Sequence, residues 1–206
     1  IERDYHPENP YHNAIHAADV VQTLHALIQM AGNGFFDKEQ MFSILVAAVV
    51  HDVKHPGINN TFQVNSVSDL ALTHNNLAVL ENEHVSHAFK KLMKPGRPGA
   101  QDDLNFLRHV QPSEFARIRK RMIEAVLHTD MSAHFATVAK IKSQTAGKPW
   151  ATLDADTRWE VFMFVLHLAD ISNPGKPSIC AVQRRSPKGR SCHTPLSLPT
   201  TAAKVD

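Results

Sequence analysis

Cysteine is nearly absent. The 206 residues contain two, Cys180 and Cys192, both near the C-terminal end. The body before them therefore has no disulfide framework, no cysteine zinc site and no thiol nucleophile. Long apolar runs are missing too. The longest, residues 44–50, is far short of the roughly 20 residues a membrane span requires. Neither charge dominates: 22 Lys and Arg face 20 Asp and Glu, a net of +2, which argues against a nucleic-acid partner. Even that excess is local. Residues 178–206 hold Arg184, Arg185, Lys188, Arg190 and Lys204 against one acid, Asp206, so the body is slightly acidic. The chain opens on Ile1, which leaves room for an upstream targeting segment.

An apolar share of 43% with 20% charged residues can build a real core in one compact domain. What the chain has in quantity is histidine, 14 in all. Histidine is the commonest metal ligand and titrates near neutral pH.

The periodicity is helical almost throughout. In residues 13–30, Ile15, Val20, Val21, Leu24, Leu27 and Ile28 fall close to one stripe, and Gly32 and Gly34 follow. Asp37 with Gln40 three residues later spells a capping box. It opens a helix through Val50 that is apolar nearly all round, as suits the centre of a bundle, with Pro56 and Gly57 closing it. A short helix is expected over 68–73 and a longer one over 76–93, then a loop over 94–99. Amphipathic stretches follow at 102–109, 114–128, 132–144 and 157–171, with no period-2 strand and no repeat. The expected fold is all-α, a multi-helix bundle over 1–177. Residues 178–206 read as a basic, Ser- and Pro-containing, disordered tail.

Several helices end on polar residues that can bind metal. His12 and His16, four apart, would share a helical face; alone, such a pair is usually unremarkable. His51-Asp52 ends the apolar helix, and an unpaired Asp buried there would cost several kcal/mol, on the order of an isolated ion. His55 is expected one turn on, on the side of His51. His167 and Asp170 repeat the theme, Glu81 and His84 share a face, and Thr129-Asp130 end a further helix. Together they point to one polar site within the bundle.

The order His, His-Asp, Asp resembles the ligand set of the HD metal-dependent phosphohydrolases. The run His51-Asp52-Val53-Lys54-His55-Pro56-Gly57-Ile58-Asn59-Asn60-Thr61-Phe62 resembles the H-D-x-x-H-x-G-x-x-N-x-F signature of class I cyclic nucleotide phosphodiesterases. Flanking blocks agree in order: Asn9-Pro10-Tyr11-His12-Asn13, His16-Ala17-Ala18-Asp19-Val20, Val79-Leu80-Glu81-Asn82, Thr129-Asp130-Met131-Ser132 and Ala169-Asp170-Ile171-Ser172-Asn173-Pro174.

The resemblance implies that His16, His51, Asp52 and Asp170 hold a tight metal, Zn²⁺. Asp52 would bridge to a second, Mg²⁺ or Mn²⁺, whose waters His55, Glu81 and Thr129 orient. Imidazoles with carboxylates suit zinc, and a single carboxylate with waters suits magnesium. Such a pair activates water and clamps phosphate oxygens. His12 would be the general acid for the leaving 3′-oxygen. Tyr11, Met131, Ile171 and Asn173 would line the substrate pocket. The implied substrate is cyclic AMP or cyclic GMP, giving the 5′-monophosphate. No nucleic-acid partner or transmembrane segment is expected; a homodimer is admitted and the expected compartment is the cytoplasm.

Three features depart from the family pattern. Lys54 stands where Asp is frequent, and His74-Asn75-Asn76 where Tyr-Asn-Asp is common. The base-binding Gln and Phe that resemblance would place after residue 177 have no counterpart in 178–206, so the expectation is a catalytic domain incomplete on its C-terminal side. Two alternatives stay open: an impaired fragment that binds metal or pairs with full-length subunits, and an HD-type hydrolase of another phosphate ester.

Overall fold

The computed structural model describes residues 1–31, 35–94 and 105–176. Among these residues the chain forms α1 (Ala14–Ala31), α2 (Lys38–Val50), α3 (Asn60–Asn65), α4 (Asp69–Thr73), α5 (Val79–Leu92), α6 (Pro112–Leu127), α7 (His134–Thr145) and α8 (Ala155–Asp170), with four short 3₁₀ turns and no strand. The all-helical expectation holds. The expected tail and the loop residues 95–99 lie outside the described residues. None of the described helices is long and apolar enough to cross a membrane.

α2 sits centrally and packs on α1, α5, α6 and α8. Its start is the expected capping box: the Asp37 carboxylate accepts from Gln40 N–H at 2.7 Å, and the Gln40 side chain accepts from Asp37 N–H at 3.0 Å. α1 buries Val20, Leu24 and Ile28, an i, i+4, i+8 stripe, against Ile44, Ala47 and Ala48 of α2 and Phe162, Leu166 and Ala169 of α8. Each fully buried aliphatic or aromatic side chain contributes about 1.5–3 kcal/mol. This packing sets the ends of α1, α2 and α8 side by side.

The structure corrects five expectations. The apolar run of α2 is not buried all round: Val49 is 41% exposed, and Leu45 and Val46 are half-buried. That outer face instead offers a backbone carbonyl, Val49 O, to the Tyr5 hydroxyl at 3.0 Å. α2 ends at Val50 as expected, but His55 is not one helical turn on from His51, because residues 51–54 form a turn. The peptide of Lys54, at φ 61°, donates to Asp4 O at 3.2 Å. Residues 60–65 form a helix that the pattern does not announce. Residues 106–109, part of an expected amphipathic stretch, form turns. α5 starts at Val79 rather than near 76, because Asn75, Asn76 and Ala78 adopt left-handed backbone angles.

Candidate metal centre

His16 lies on the first turn of α1, His51 and Asp52 directly follow α2, and Asp170 is the last residue of α8. Their donor atoms converge. His16 Nε2 lies 2.9 Å from Asp170 Oδ1 and 3.3 Å from Asp52 Oδ2. His51 Nε2 lies 3.3 Å from Asp52 Oδ2, 3.4 Å from Asp170 Oδ1 and 3.4 Å from His16 Nε2. A tetrahedral zinc site with spokes of about 2.0–2.1 Å has edges of about 3.3–3.4 Å. The five separations just given, 2.9–3.4 Å, are close to that size, and the cluster is a buried or half-buried set of two imidazoles and two carboxylates.

The His51 tautomer fits as well. His51 Nδ1–H donates to the Ala48 carbonyl at 2.9 Å, which leaves the Nε2 lone pair facing the cluster. Burial pulls His16 and His51 down, but the neighbouring carboxylates outweigh it and hold both above the ordinary histidine value, His51 well above. Burial pushes Asp52 and Asp170 up, and the two histidines overcome it, so both carboxyls sit well below their ordinary value.

A second group shares Asp52. Its donors are Asp52, His55 and His84, all within 4.8 Å of one another. His84 Nδ1–H donates to the Val53 carbonyl at 2.7 Å and turns Nε2 towards Asp52 Oδ1, 3.8 Å away. His55 is the opposite tautomer: its Nδ1 accepts from Gly57 N–H at 3.0 Å, so Nε2 carries the proton and is a donor. Burial lowers both rings to about 4, against the pull of Asp52. Glu81, on the first turn of α5, accepts from Asn60 Nδ2 at 2.8 Å. Burial raises its carboxyl, as do the charges of Asp130 and Asp52, against the Asn60 bond. Thr129, just after α6, is buried, its hydroxyl donating to Val126 O at 2.7 Å.

His12 is not on α1. It precedes the helix in a bend, so the expected i, i+4 pairing with His16 is replaced by tertiary contacts. Its ring stacks on His55 at 3.8 Å and lies edge-on to His16 at 5.9 Å. Asn9 secures this arrangement, its Nδ2 donating to His12 O at 3.1 Å and His55 O at 2.7 Å. Burial lowers His12, opposed by the Asp52 charge. Tyr11, 38% exposed, tilts against His16 at 4.6 Å. Met131 is exposed in the 3₁₀ turn Met131–Ala133; Ile171 caps α8, and Asn173 opens the turn Asn173–Gly175. His167 does not join the cluster. It shares a 2.8 Å hydrogen bond with His134 of α7.

Sequence reasoning noted His84 without giving it a role and passed over Asn9 and Asn60. The signal for Asn60 lay in the motif itself, and the structure gives its amide a bonding reason: its Oδ1 accepts from Leu80 N at 2.9 Å while its Nδ2 holds Glu81. The two local departures from the family pattern, Lys54 and His74, meet on one residue. Lys54 Nζ and His74 Nε2 each lie 3.7 Å from a Glu83 carboxylate oxygen.

Fold and site define an all-helical protein organised around a histidine–aspartate cluster able to hold divalent metal. Comparison with known proteins gives the family. A family model described as 3′5′-cyclic nucleotide phosphodiesterase matches residues 11–185, and the chain belongs to that family. It is 40% identical over 184 residues to 3′,5′-cyclic-AMP phosphodiesterase, isoform F, of Drosophila melanogaster, covering 86% of this chain and 27% of that protein. It is 35% identical over 184 residues to 3′,5′-cyclic-AMP phosphodiesterase 4C of Mus musculus, covering 86% and 26%. The chain thus spans about a quarter of the length of these relatives. The crystal structure of the phosphodiesterase domain of Salpingoeca rosetta rhodopsin phosphodiesterase superposes with a TM-score of 0.78 at 32% identity, covering 89% of this chain and 55% of that one.

Proposed function

We propose that this chain carries the metal-holding half of a site that hydrolyses 3′,5′-cyclic nucleotides to 5′-monophosphates. The observation that carries the reading is the tetrahedron-sized cluster of His16, His51, Asp52 and Asp170 in a chain of this family. These four would hold the tighter ion, Zn²⁺ by donor chemistry, and Asp52 would reach a second, Mg²⁺ or Mn²⁺. When bound, two such ions supply an activated water and charge neutralisation for the phosphate.

The remaining work falls to the chain. The His55 Nε2–H, fixed as a donor by Gly57, orients water at the second position, with Glu81 and Thr129 as its expected partners. His12 holds the proton for the leaving 3′-oxygen. Its stacking on His55 and the Asn9 clamp fix the ring plane. Burial alone favours the neutral ring, and an incoming phosphate charge favours the protonated one, so the proton is best held when substrate is present. Tyr11, Met131, Ile171 and Asn173 would border the nucleotide.

Hydrolysis of cyclic AMP and cyclic GMP by a version extended through the remaining helices of the catalytic domain, supplied with Zn²⁺ and Mg²⁺, tests the reading. In that protein His12→Ala should lower kcat by roughly 10²–10⁴-fold and leave metal content unchanged. An equal loss of metal and activity would show that His12 is a ligand or a structural residue. No turnover of either nucleotide by the unsubstituted extended protein would sink the proposal, whereas residues 1–206 alone should show little or none.

A further inference from the structure

We infer that Lys176 is a positioning residue for the metal centre: it locks the segment leaving α8, and Asp170 with it, onto the helix that carries His16. This rests on reading His16, His51, Asp52 and Asp170 as metal donors.

Packing fixes α8 only as far as Ala169. Phe162, Leu166 and Ala169 are buried, but from Asp170 to Lys176 every residue is half-buried or exposed. The metal ligand therefore sits just beyond the part of the helix that the core holds. A metal centre needs its donors held to within roughly 0.5 Å, so something other than burial must secure this end.

Lys176 supplies it. Its Nζ donates to Asp19 Oδ2 and to Thr23 Oγ1, each at 2.6 Å. Thr23 Oγ1 spends its own proton on the Asp19 carbonyl at 2.8 Å and so offers a lone pair to the ammonium. His16, Asp19 and Thr23 stand at i, i+3 and i+7, on one face of α1. The latch and the His16–Asp170 contact thus lie on the same face, spanning 157 and 154 residues of sequence. With Lys176 at 21% and Asp19 at 13% side-chain exposure, the ion pair is shielded from water.

The link between ligand and latch is itself bonded. Ile171 N donates to His167 O at 3.1 Å, Ser172 Oγ to Ala169 O at 2.6 Å, Gly175 N to Ser172 O at 3.0 Å and Lys176 N to Asn173 O at 3.1 Å. Such a stretch behaves as a short strut, so holding Lys176 holds Asp170. Ile171 and Asn173 lie along the same strut.

The test is Zn²⁺ affinity of the full chain, titrated against a competing chromophoric chelator, with thermal melting of each metal-free variant. Lys176→Met should weaken Zn²⁺ binding about 10–100-fold, the usual cost of losing an outer partner of a metal site. Thr23→Val keeps the branched shape, removes one of two acceptors and should show an intermediate loss. If Lys176→Met does not fold, Thr23→Val decides. Affinities within twofold of the unsubstituted chain would overturn the proposal, as would a lowered melting temperature with unchanged affinity, since either makes the latch merely structural. An unsubstituted chain that retains no Zn²⁺ would overturn the metal reading itself, and this proposal with it.

Discussion

Asp52 is the residue on which both donor groups depend. Its Oδ2 faces His16 and His51 and its Oδ1 faces His84, so one side chain serves two neighbouring positions. Asp52→Ala should therefore remove the tightly held ion, while His16 and His51 lose one of the two carboxylates that keep them raised. Metal analysis after mild chelation checks this: the unsubstituted chain should retain about one tightly held transition metal, and Asp52→Ala far less. Equal content would refute the site. Gly57 is a second single-residue dependency. Its φ of +80° suits glycine, a Cβ there would lie 3.0 Å from Asn9 Oδ1, and its N–H fixes the His55 tautomer. Gly57→Ala should cost about 1–2 kcal/mol, the scale of forcing an L-residue into a left-handed conformation. Urea denaturation would measure it, and a cost near zero would mean that the turn can relax.

At the scale of elements, the N-terminal turn Glu2–Asp4 ties the segment after α2 to α5. Asp4 O accepts from Lys54 N, and its carboxylate is held by Lys91 and by His87 Nε2 at 3.4 Å. Burial raises the Asp4 carboxyl, but the bonds from Lys91 and His87 prevail and leave it below its ordinary value. A carboxyl depressed in the folded state contributes stability that is fully present above its unfolded pKa, near 4, and is lost as pH falls through the folded value. Asp4→Asn should thus cost roughly 0.2–1 kcal/mol at pH 7, allowing for its partial exposure, and the gap to the unsubstituted chain should narrow by pH 3. A gap of the same size at both pH values would remove this account. The elements that were legible in the sequence share a cause. Where a stripe or cap is local, as in α1 and in the Asp37–Gln40 box, pattern and structure coincide. Where a distant segment intervenes, as at Lys54, or where a short polar helix rests on Asn59 capping Phe62 N at 2.8 Å, the local pattern carries too little signal. The same holds for the site. His16, His51, Asp52 and Asp170 were legible as motif residues, whereas the contribution of His84 depends on a tertiary bond to Val53 O that no spacing reveals.

At the scale of the whole molecule, the centre ties together α1, the end of α2 and the end of α8, elements whose mutual packing forms much of the core. A ligand that binds only the folded arrangement stabilises it by RT ln(1 + [L]/Kd), about 2.7 kcal/mol when the free ion stands at 100 times Kd. For a domain of this size each kcal/mol moves the melting temperature by about 2–4 °C. Zn²⁺ at that excess should therefore raise the melting temperature by roughly 5–10 °C over chelated protein. The increment should disappear in Asp170→Ala, because three donors from two elements no longer join α8 to the other helices. The sign of the substitution's own effect is separate. Without metal, Asp170→Ala leaves His16 and His51 short of a carboxylate they both contact, so the metal-free variant should also melt lower. Scanning calorimetry of both proteins with and without Zn²⁺ separates the two effects. A Zn²⁺-dependent rise that survives in Asp170→Ala would place the stabilising ion elsewhere in the molecule.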